Sequence, residues 1–285
     1  MRRIIFVLGV FLTIASANAQ TKTQLDVNIM TFNIRYDNAG DGSNSWQYRK
    51  ENAMKMIRFH EVDILGMQEV LVNQLKDITN QLNDYNAIGV GREDGKEKGE
   101  YSPILYKKNK FTLVKSGYFW LSQTPEKPSK GWDSACERIA TWVQLKDKVT
   151  GKKVFVLNTH FDHIGEVARR ESVNLIKAKI AQLSGGLPHI FMGDLNAEPD
   201  SSVLKSLLAV DDSLIFLDAK KVASVVYGPN WTFHDFGKIP YSERPNIDYI
   251  LVSKLVSVQK YAVFAETLND TFLSDHAPVF IKASL

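Results

Sequence analysis

Ile190-Phe191-Met192-Gly193-Asp194-Leu195-Asn196-Ala197-Glu198-Pro199 runs three apolar residues into a glycine, then into a carboxylate and a carboxamide two positions apart. That is the pattern of a buried strand delivering polar groups at its C-terminal end. Side chains alternate across a strand, so Asp194 and Asn196 are expected on one face, and Gly193 permits close approach of backbone or ligand. A carboxylate able to take a proton, beside a neutral donor and acceptor, suits a site that activates water and orients an anionic substrate. Gly-Asp and Asn-Ala are also ordinary turn material, so the stretch gains meaning from what the rest of the chain sets beside it.

Outward from this strand, residues 165–183 read as an amphipathic helix, with Val167, Val173, Ile176 and Ile180 on its apolar stripe and Arg169, Arg170 and Lys177 on its wet face. A shorter helix is expected over 201–208. The first ninety residues read strand, helix, strand, helix, strand: 26–34 ends near Asn33, 47–60 is helical, 63–68 delivers Glu69, and 70–82 is helical again. From Tyr101 strands over 102–107, 111–121, 138–146 and 153–160 follow one another, which predicts antiparallel hairpins. The chain ends in strands over 246–253, 256–265 and 278–283, with a polar loop at 271–277. Residues 37–44, 122–137 and 227–240 read as loops. The first is not a calcium loop, because the glutamate required near its end is missing.

Strand and helix alternation in the first and third quarters, with hairpins between, predicts an α/β fold of α+β type. Two mixed β-sheets pack face to face with helices on both outer faces, a four-layer sandwich. No linker interrupts residues 20–285, so a single domain is expected there.

The 285 residues are 44% hydrophobic, enough for a sizeable core. Met1-Arg2-Arg3, an apolar run from Ile4 to Ile14 and Ala17-Asn18-Ala19 make a charged start, a hydrophobic stretch and a small-x-small cleavage site. Residues 1–19 are therefore expected to be a signal peptide, with the mature chain exported to the periplasm or the medium. The apolar run is too short for a comfortable span and no second one follows, so no membrane span is expected in the mature form. Removing Arg2 and Arg3 and no acid lowers the formal charge from +3 to +1, which is not the balance of a general duplex-binding protein. Cys136 is the only cysteine, so no intrachain disulfide can form.

Polar groups recur at strand ends: Asn33, Glu69, His160 with Asp162, Asp194 with Asn196, Asp248, and Asp275-His276. Singly, each is more often a turn or a cap than a catalyst; six in one chain argue for a site. Hard oxygen donors such as Glu69, with Asn33 or Asp275, suit magnesium or manganese. The histidines are not spaced as HExxH and a single cysteine cannot build a thiolate site, which disfavours zinc.

In this order, Thr31-Phe32-Asn33-Ile34-Arg35, Gln68-Glu69, Asn158-Thr159-His160-Phe161-Asp162-His163, Gly193-Asp194-Leu195-Asn196, Ile247-Asp248-Tyr249-Ile250 and Ser274-Asp275-His276-Ala277-Pro278 resemble the endonuclease/exonuclease/phosphatase superfamily over nearly the whole chain. The resemblance implies a four-layer sandwich that hydrolyses phosphoesters with Mg2+, or Mn2+ in its place. It implies Glu69 as principal metal ligand with Asn33 beside it and Asp275 near the metal. Asp194 would position or deprotonate the attacking water, Asn196 hold a phosphate oxygen, Asp248 orient His276, and His160 bind the scissile phosphate. Glu100 resembles the family glutamate that braces that histidine. Superfamily substrates range over nucleic acids, inositol phosphates and sphingolipids, so the resemblance does not fix the substrate.

Around that centre, Arg138, Trp46 and Trp231 are expected to bind substrate, the aromatics by stacking and the arginine by charge. The combined expectation is an exported, Mg2+- or Mn2+-dependent phosphodiesterase or phosphomonoesterase acting on a small phosphorylated molecule. The alternative is an endonuclease or exonuclease on DNA or RNA. A non-catalytic binding protein of the same fold is disfavoured by the intact set Glu69, Asp194, Asn196, Asp248 and His276, and no protein partner is implied.

Overall fold

The computed structural model describes residues 24–209 and 214–285; the leader expected over 1–19 lies outside them. The chain threads β1 (Asp26–Asn33), α1 (Trp46–Phe59), β2 (Ile64–Gln68), α2 (Val72–Gln81), β3 (Tyr85–Ile88), β4 (Ile104–Lys107), β5 (Phe111–Trp120), β6 (Ile139–Asp147) and β7 (Lys153–His160). It continues through α3 (Glu166–Ser184), β8 (His189–Asp194), α4 (Ser202–Leu208), β9 (Leu217–Asp218), α5 (Ala219–Val222), β10 (Val225–Tyr227), β11 (Asp248–Val252), β12 (Ser257–Val263), β13 (Thr267–Leu268), β14 (Thr271–Phe272) and β15 (Val279–Ser284).

Two mixed sheets result, ordered β10-β12-β15-β1-β2-β4-β3 and β5-β6-β7-β8-β11-β9. Three cores stack through the molecule. Ile29, Ile64 and Ile281 of the first sheet meet Val143, Val156, Ile190 and Ile250 of the second. Met54 and Ile57 of α1 and Ile78 of α2 pack on Met30, Phe32 and Leu65 behind the first sheet. Val173, Ile176 and Ile180 of α3 and Leu204 of α4 pack on Phe155, Leu157 and Phe191 behind the second. This is the expected four-layer sandwich. β2 and β8 are buried along their whole length because both of their faces are covered.

Local corrections follow from packing. Val167, assigned to the stripe of α3, is 37% exposed, and Ala168 turns inward in its place. The 102–107 strand does not form a hairpin with 111–121: β4 lies between β2 and β3 in the first sheet, whereas β5 pairs with β6 in the second. Ile104, Leu105 and Tyr106 are buried on both faces, as an interior strand requires, and an apolar run does not specify which sheet it joins.

What positions the site is the direction of four strands. β1 and β2 run parallel, as do β7 and β8, so Asn33, Gln68, His160 and Asp194 emerge at their C-terminal ends. β11 runs antiparallel to β8 and sets its first residue, Asp248, opposite Asp194. Beneath them a buried polar network ties the sheets together: Gln68 Nε2 donates to Thr31 Oγ1 at 3.0 Å and to Asn158 Oδ1 at 2.6 Å, and Asn158 Nδ2 donates to the Met67 carbonyl at 2.8 Å. Buried amides bonded across the layers in this way fix one register between them.

Candidate active site

Gly193 explains why β8 ends where it does. Its φ is +149°, and a Cβ there would lie 1.9 Å from the Thr159 carbonyl oxygen. Only glycine allows β7 and β8 to approach so closely next to Asp194. Asp194 and Asn196 do come together, but not by strand alternation. The strand stops at Asp194, Asn196 has φ +45°, and its N–H donates to Asp194 Oδ1 at 3.0 Å. A left-handed residue after the strand, stabilised by an aspartate two positions before it, turns the carboxamide back into the site. Glu69 is also left-handed, with φ +60°, immediately after β2.

The side chains form one web. Asn33 Nδ2 donates to Glu69 Oε1 at 2.9 Å and to Asp194 Oδ2 at 3.0 Å, bridging the two sheets. Its Oδ1 accepts the Arg35 N–H at 3.0 Å. The expectation of Asn33 as an oxygen ligand is therefore corrected: its amide nitrogen faces the carboxylates, and it steers Glu69 and Asp194. The Tyr36 N–H donates to Glu69 Oε2 at 3.2 Å. His276 Nδ1 lies 2.9 Å from Asp248 Oδ2, and its Nε2 lies 3.8 Å from Asp194 Oδ2. Asn196 Nδ2 lies 2.9 Å from His160 Nε2 and donates to the Phe161 carbonyl at 3.0 Å. The second bond fixes the amide's orientation, so His160 Nε2 is the acceptor and its proton sits on Nδ1.

Burial sets the protonation states. It pushes Asp194 up to about 7, aided by the negative Asp248 and opposed by His276 and the N–H donors from Asn196 and Asn33. Burial alone would lower His276, but the Asp248 charge and hydrogen bond, with Asp194 and Asp275 behind them, carry it to about 10. His160 is held well below its ordinary value by burial and by the nearby Arg138 and Arg92, and so is neutral. Asp275 is raised by burial and by Glu69, with His276 and Arg35 opposing. Two acids and an imidazole whose affinities for protons are pushed apart make an acid and base assignment possible.

These groups line a cavity of about 450 Å³. Glu69, His160, Asp194, Asn196, Asp275 and His276 face it, while Asn33 and Asp248 stand behind. Arg138 lines its wall, 4% exposed, with Nε 3.3 Å from Asp162 and Nη2 2.8 Å from His163 Nδ1. Glu100 lines the wall too, but both its oxygens are held by Arg92, at 2.7 and 2.8 Å. His160 Nδ1 has no hydrogen-bond partner among the described residues, so the expected brace from Glu100 to His160 is not made. Asp162 is a loop anchor, accepting N–H groups from Ala135, Ile164 and Gly165.

The two tryptophans are not brought to this cavity. Trp46 is 2% exposed on α1 and donates its indole N–H to Asp77 at 2.9 Å, beside a separate outer groove of about 880 Å³. Trp231 is 6% exposed in the core between the sheets, under the Arg244 guanidinium at 4.5 Å. Both corrections have one reason: large aromatics bury more favourably against α2 and between sheets than on a rim. The sequence reading missed Arg35, Tyr36 and Arg92 as wall residues; Phe233, inside the loop expected over 227–240, also faces the cavity. Arg35 and Tyr36 directly follow the Asn33 strand end, a signal that was available, whereas nothing local marks Arg92.

Glu69, Asp194 and His276 offer ligand atoms that all lie within 4.8 Å of one another. With Asp275 on the same cavity wall, the set is dominated by carboxylate oxygen; Asp248 engages His276 Nδ1 and leaves Nε2, which faces Asp194, as its one nitrogen donor. That chemistry fits a hard divalent cation sharing one or two carboxylates with water and substrate.

A sequence model described as Endonuclease/Exonuclease/phosphatase family matches residues 30–276. The chain is 45% identical to an endonuclease/exonuclease/phosphatase from Bacteroides vulgatus of known crystal structure, covering 91% of this chain and 98% of that one, with a TM-score of 0.88. It is 36% identical to a mannosyl-6-phosphatase from Bacteroides thetaiotaomicron, covering 90% of this chain and 99% of that one, TM-score 0.85. A CCR4-Not complex 3'-5'-exoribonuclease subunit from Mycosarcoma maydis is 24% identical over 66% of this chain and 36% of that subunit. On the span of that match and the identity to solved relatives, the chain belongs to the Endonuclease/Exonuclease/phosphatase family, whose members are phosphoester hydrolases.

Proposed function

We propose that the protein is a divalent-metal-dependent phosphatase that releases phosphate from a small phosphorylated molecule, with phosphorylated sugars the leading class. The observation that carries this reading is the convergence, in one cavity of about 450 Å³, of Glu69, the buried Asp194 and the Asp248-bound His276. Kinship over nearly its full length with a mannosyl-6-phosphatase supports a monoester of a sugar over a polymer. The exoribonuclease likeness covers about a third of that relative and supports the nuclease alternative more weakly.

Glu69 and Asp275 would hold Mg2+, or Mn2+ in its place, with Asn33 fixing the Glu69 carboxylate. The cation would neutralise phosphate charge and polarise the ester. Asp194, with a proton affinity raised into the neutral range, takes up a proton from the attacking water. His276, held as an imidazolium by Asp248, donates to the charge that develops on phosphorus oxygens. Asn196 and the neutral His160, bonded to each other, are the pair that would turn toward a phosphate oxygen, and Arg138 adds positive charge to the wall.

We further propose that residues 1–19 are a cleaved leader, that 20–285 is one domain, and that the protein works outside the cytoplasm. Among the described residues no helix is long and apolar enough to cross a membrane.

The test is turnover of sugar phosphates, inositol phosphates, p-nitrophenyl phosphate, its bis-ester, RNA and plasmid DNA, with Mg2+ and with chelator. Small monoesters should be hydrolysed only with metal and far faster than nucleic acid. Efficient plasmid nicking with no small-ester turnover would reject the reading.

A further inference from the structure

The catalytic cavity has a neighbour. A second cavity of about 470 Å³ shares Asn196, Phe233 and Ile247 with it, so the two adjoin across those residues. Phe233 is half-buried, with its ring centroid 4.8 Å from that of His276, and so presents an apolar face where the two meet. Both volumes fall in the range that encloses compact ligands.

The two differ in their cations. The catalytic cavity sets Arg35, Arg92 and Arg138 among its carboxylates Glu69, Glu100, Asp194 and Asp275, so a phosphate there has arginines to meet. The second is lined by Glu166 and Glu198, both exposed, with Arg169 as its one cation and Ser201 and Ser202 beside them. Arg169 is pinned by a 2.8 Å bond from Nη1 to the Asp162 carbonyl. A nucleic-acid backbone continuing from the catalytic cavity would bring its next phosphate against two carboxylates. A neutral polyol would meet acceptors and donors suited to neighbouring hydroxyls, and an aromatic face for its C–H surface.

We propose that the substrate is a phosphorylated glycan of at least two sugar units, the phosphorylated unit in the catalytic cavity and its neutral neighbour in the second, with Glu166 and Glu198 as specificity residues. The proposal rests on the phosphatase reading above and extends it to the leaving group.

The experiment compares kcat/KM on a disaccharide monophosphate, the matching hexose phosphate, p-nitrophenyl phosphate and a dinucleotide, for the Mg2+-loaded wild type and the Glu166→Ala/Glu198→Ala variant. Wild type should favour the disaccharide phosphate over the hexose phosphate by about tenfold or more, the scale of one or two hydrogen bonds to charged groups. The variant should lose that preference while its rates on hexose phosphate and p-nitrophenyl phosphate stay within about twofold. Unphosphorylated disaccharide should inhibit wild-type p-nitrophenyl phosphate hydrolysis competitively, and the variant far less. Turnover of p-nitrophenyl phosphate with equal rates on mono- and disaccharide phosphates, equal losses on all substrates, or a preference for the dinucleotide would overturn the glycan proposal alone. No turnover of any phosphoester would overturn the phosphatase reading and this extension with it.

Discussion

His276 Nδ1 stands 2.9 Å from Asp248 Oδ2, with both side chains buried, so the imidazole keeps its proton where burial alone would remove it. The folded-state value of about 10 lies above the ordinary 6.5. The stability contributed by this pair is therefore fully present below about 6.5 and is lost as pH rises toward 10. Asp248→Asn keeps the shape and removes the charge, leaving burial to dominate. The rate should fall by about 100-fold or more, and the alkaline limb of the pH–rate profile should move to lower pH. A variant whose profile overlays the wild type would show that Asp248 does not set the state of His276.

Glu69 faces the cavity with one oxygen bonded to Asn33 and the other to the Tyr36 N–H. Glu69→Gln keeps the outline of the side chain but replaces one of its two acceptors by a donor and gives up the anionic oxygen a hard cation needs. Calorimetric titration should show Mg2+ binding weakened by about tenfold or more, the scale seen when metal-site ligation is disturbed. Wild-type Mg2+ affinity in that variant would remove Glu69 from the metal site.

A methyl group on residue 193 would sit 1.9 Å from the Thr159 carbonyl oxygen, in a conformation of φ +149° that L-residues rarely adopt. Neither β7 nor β8 can give way without disturbing His160 and Asp194, which lie opposite each other in register. Gly193→Ala should cost about 3 kcal/mol or more by overpacking and strain. Denaturant unfolding measures it, and a loss of under ~1 kcal/mol would mean the strands can slide apart.

The Asp194 stretch shows where a sequence stops being legible. Its strand, its glycine and its polar end were readable because three apolar residues ran into them, and so were the matching ends at Asn33, Glu69, His160, Asp248 and His276. Each such end is a local event. The return of Asn196 is not, since it depends on a left-handed turn closed by Asp194 Oδ1. Glu100 was expected at His160 yet pairs with Arg92, eight residues away, because two approaching loop segments made a bidentate ion pair available. Composition could not decide between rim and core for Trp46 and Trp231, since a large aromatic ring can cover a rim or fill a core.

Trp46 tests that last point. Its indole N–H is bonded to Asp77, which also takes the Lys50 ammonium at 2.9 Å, joining α1 to α2 away from the catalytic cavity. Trp46→Phe should lower stability by about 1–2 kcal/mol for the lost hydrogen bond and volume, and leave KM unchanged. A raised KM with unchanged stability would return Trp46 to the substrate side.

Asp162 carries the remaining prediction, because a single carboxylate organises one wall of the cavity. It accepts the N–H groups of Ala135 at 3.2 Å, Ile164 at 3.0 Å and Gly165 at 2.7 Å, and lies 3.3 Å from Arg138 Nε. It thereby fixes the end of the 122–137 loop, the entry to α3 and the arm of Arg138 at once. Burial on its own would raise its pKa, but the three N–H donors and Arg138 outweigh that and hold it well below the usual carboxylate range. A depressed folded-state pKa contributes stability above the ordinary value of 3.8, and that stability is lost as pH falls below it. Asp162→Asn keeps two heavy atoms in place but replaces one acceptor by a donor facing other donors. At pH 7 this should cost about 2–4 kcal/mol. It should also raise KM, since Arg138 loses the group that aims it. At pH 3 the gap between variant and wild type should narrow, because the unfolded wild-type chain takes up a proton at Asp162 while the folded carboxylate stays ionised. Denaturant titrations of both proteins at the two pH values make the comparison. A gap that stays constant, or widens in acid, would mean that shape and not charge holds this wall together.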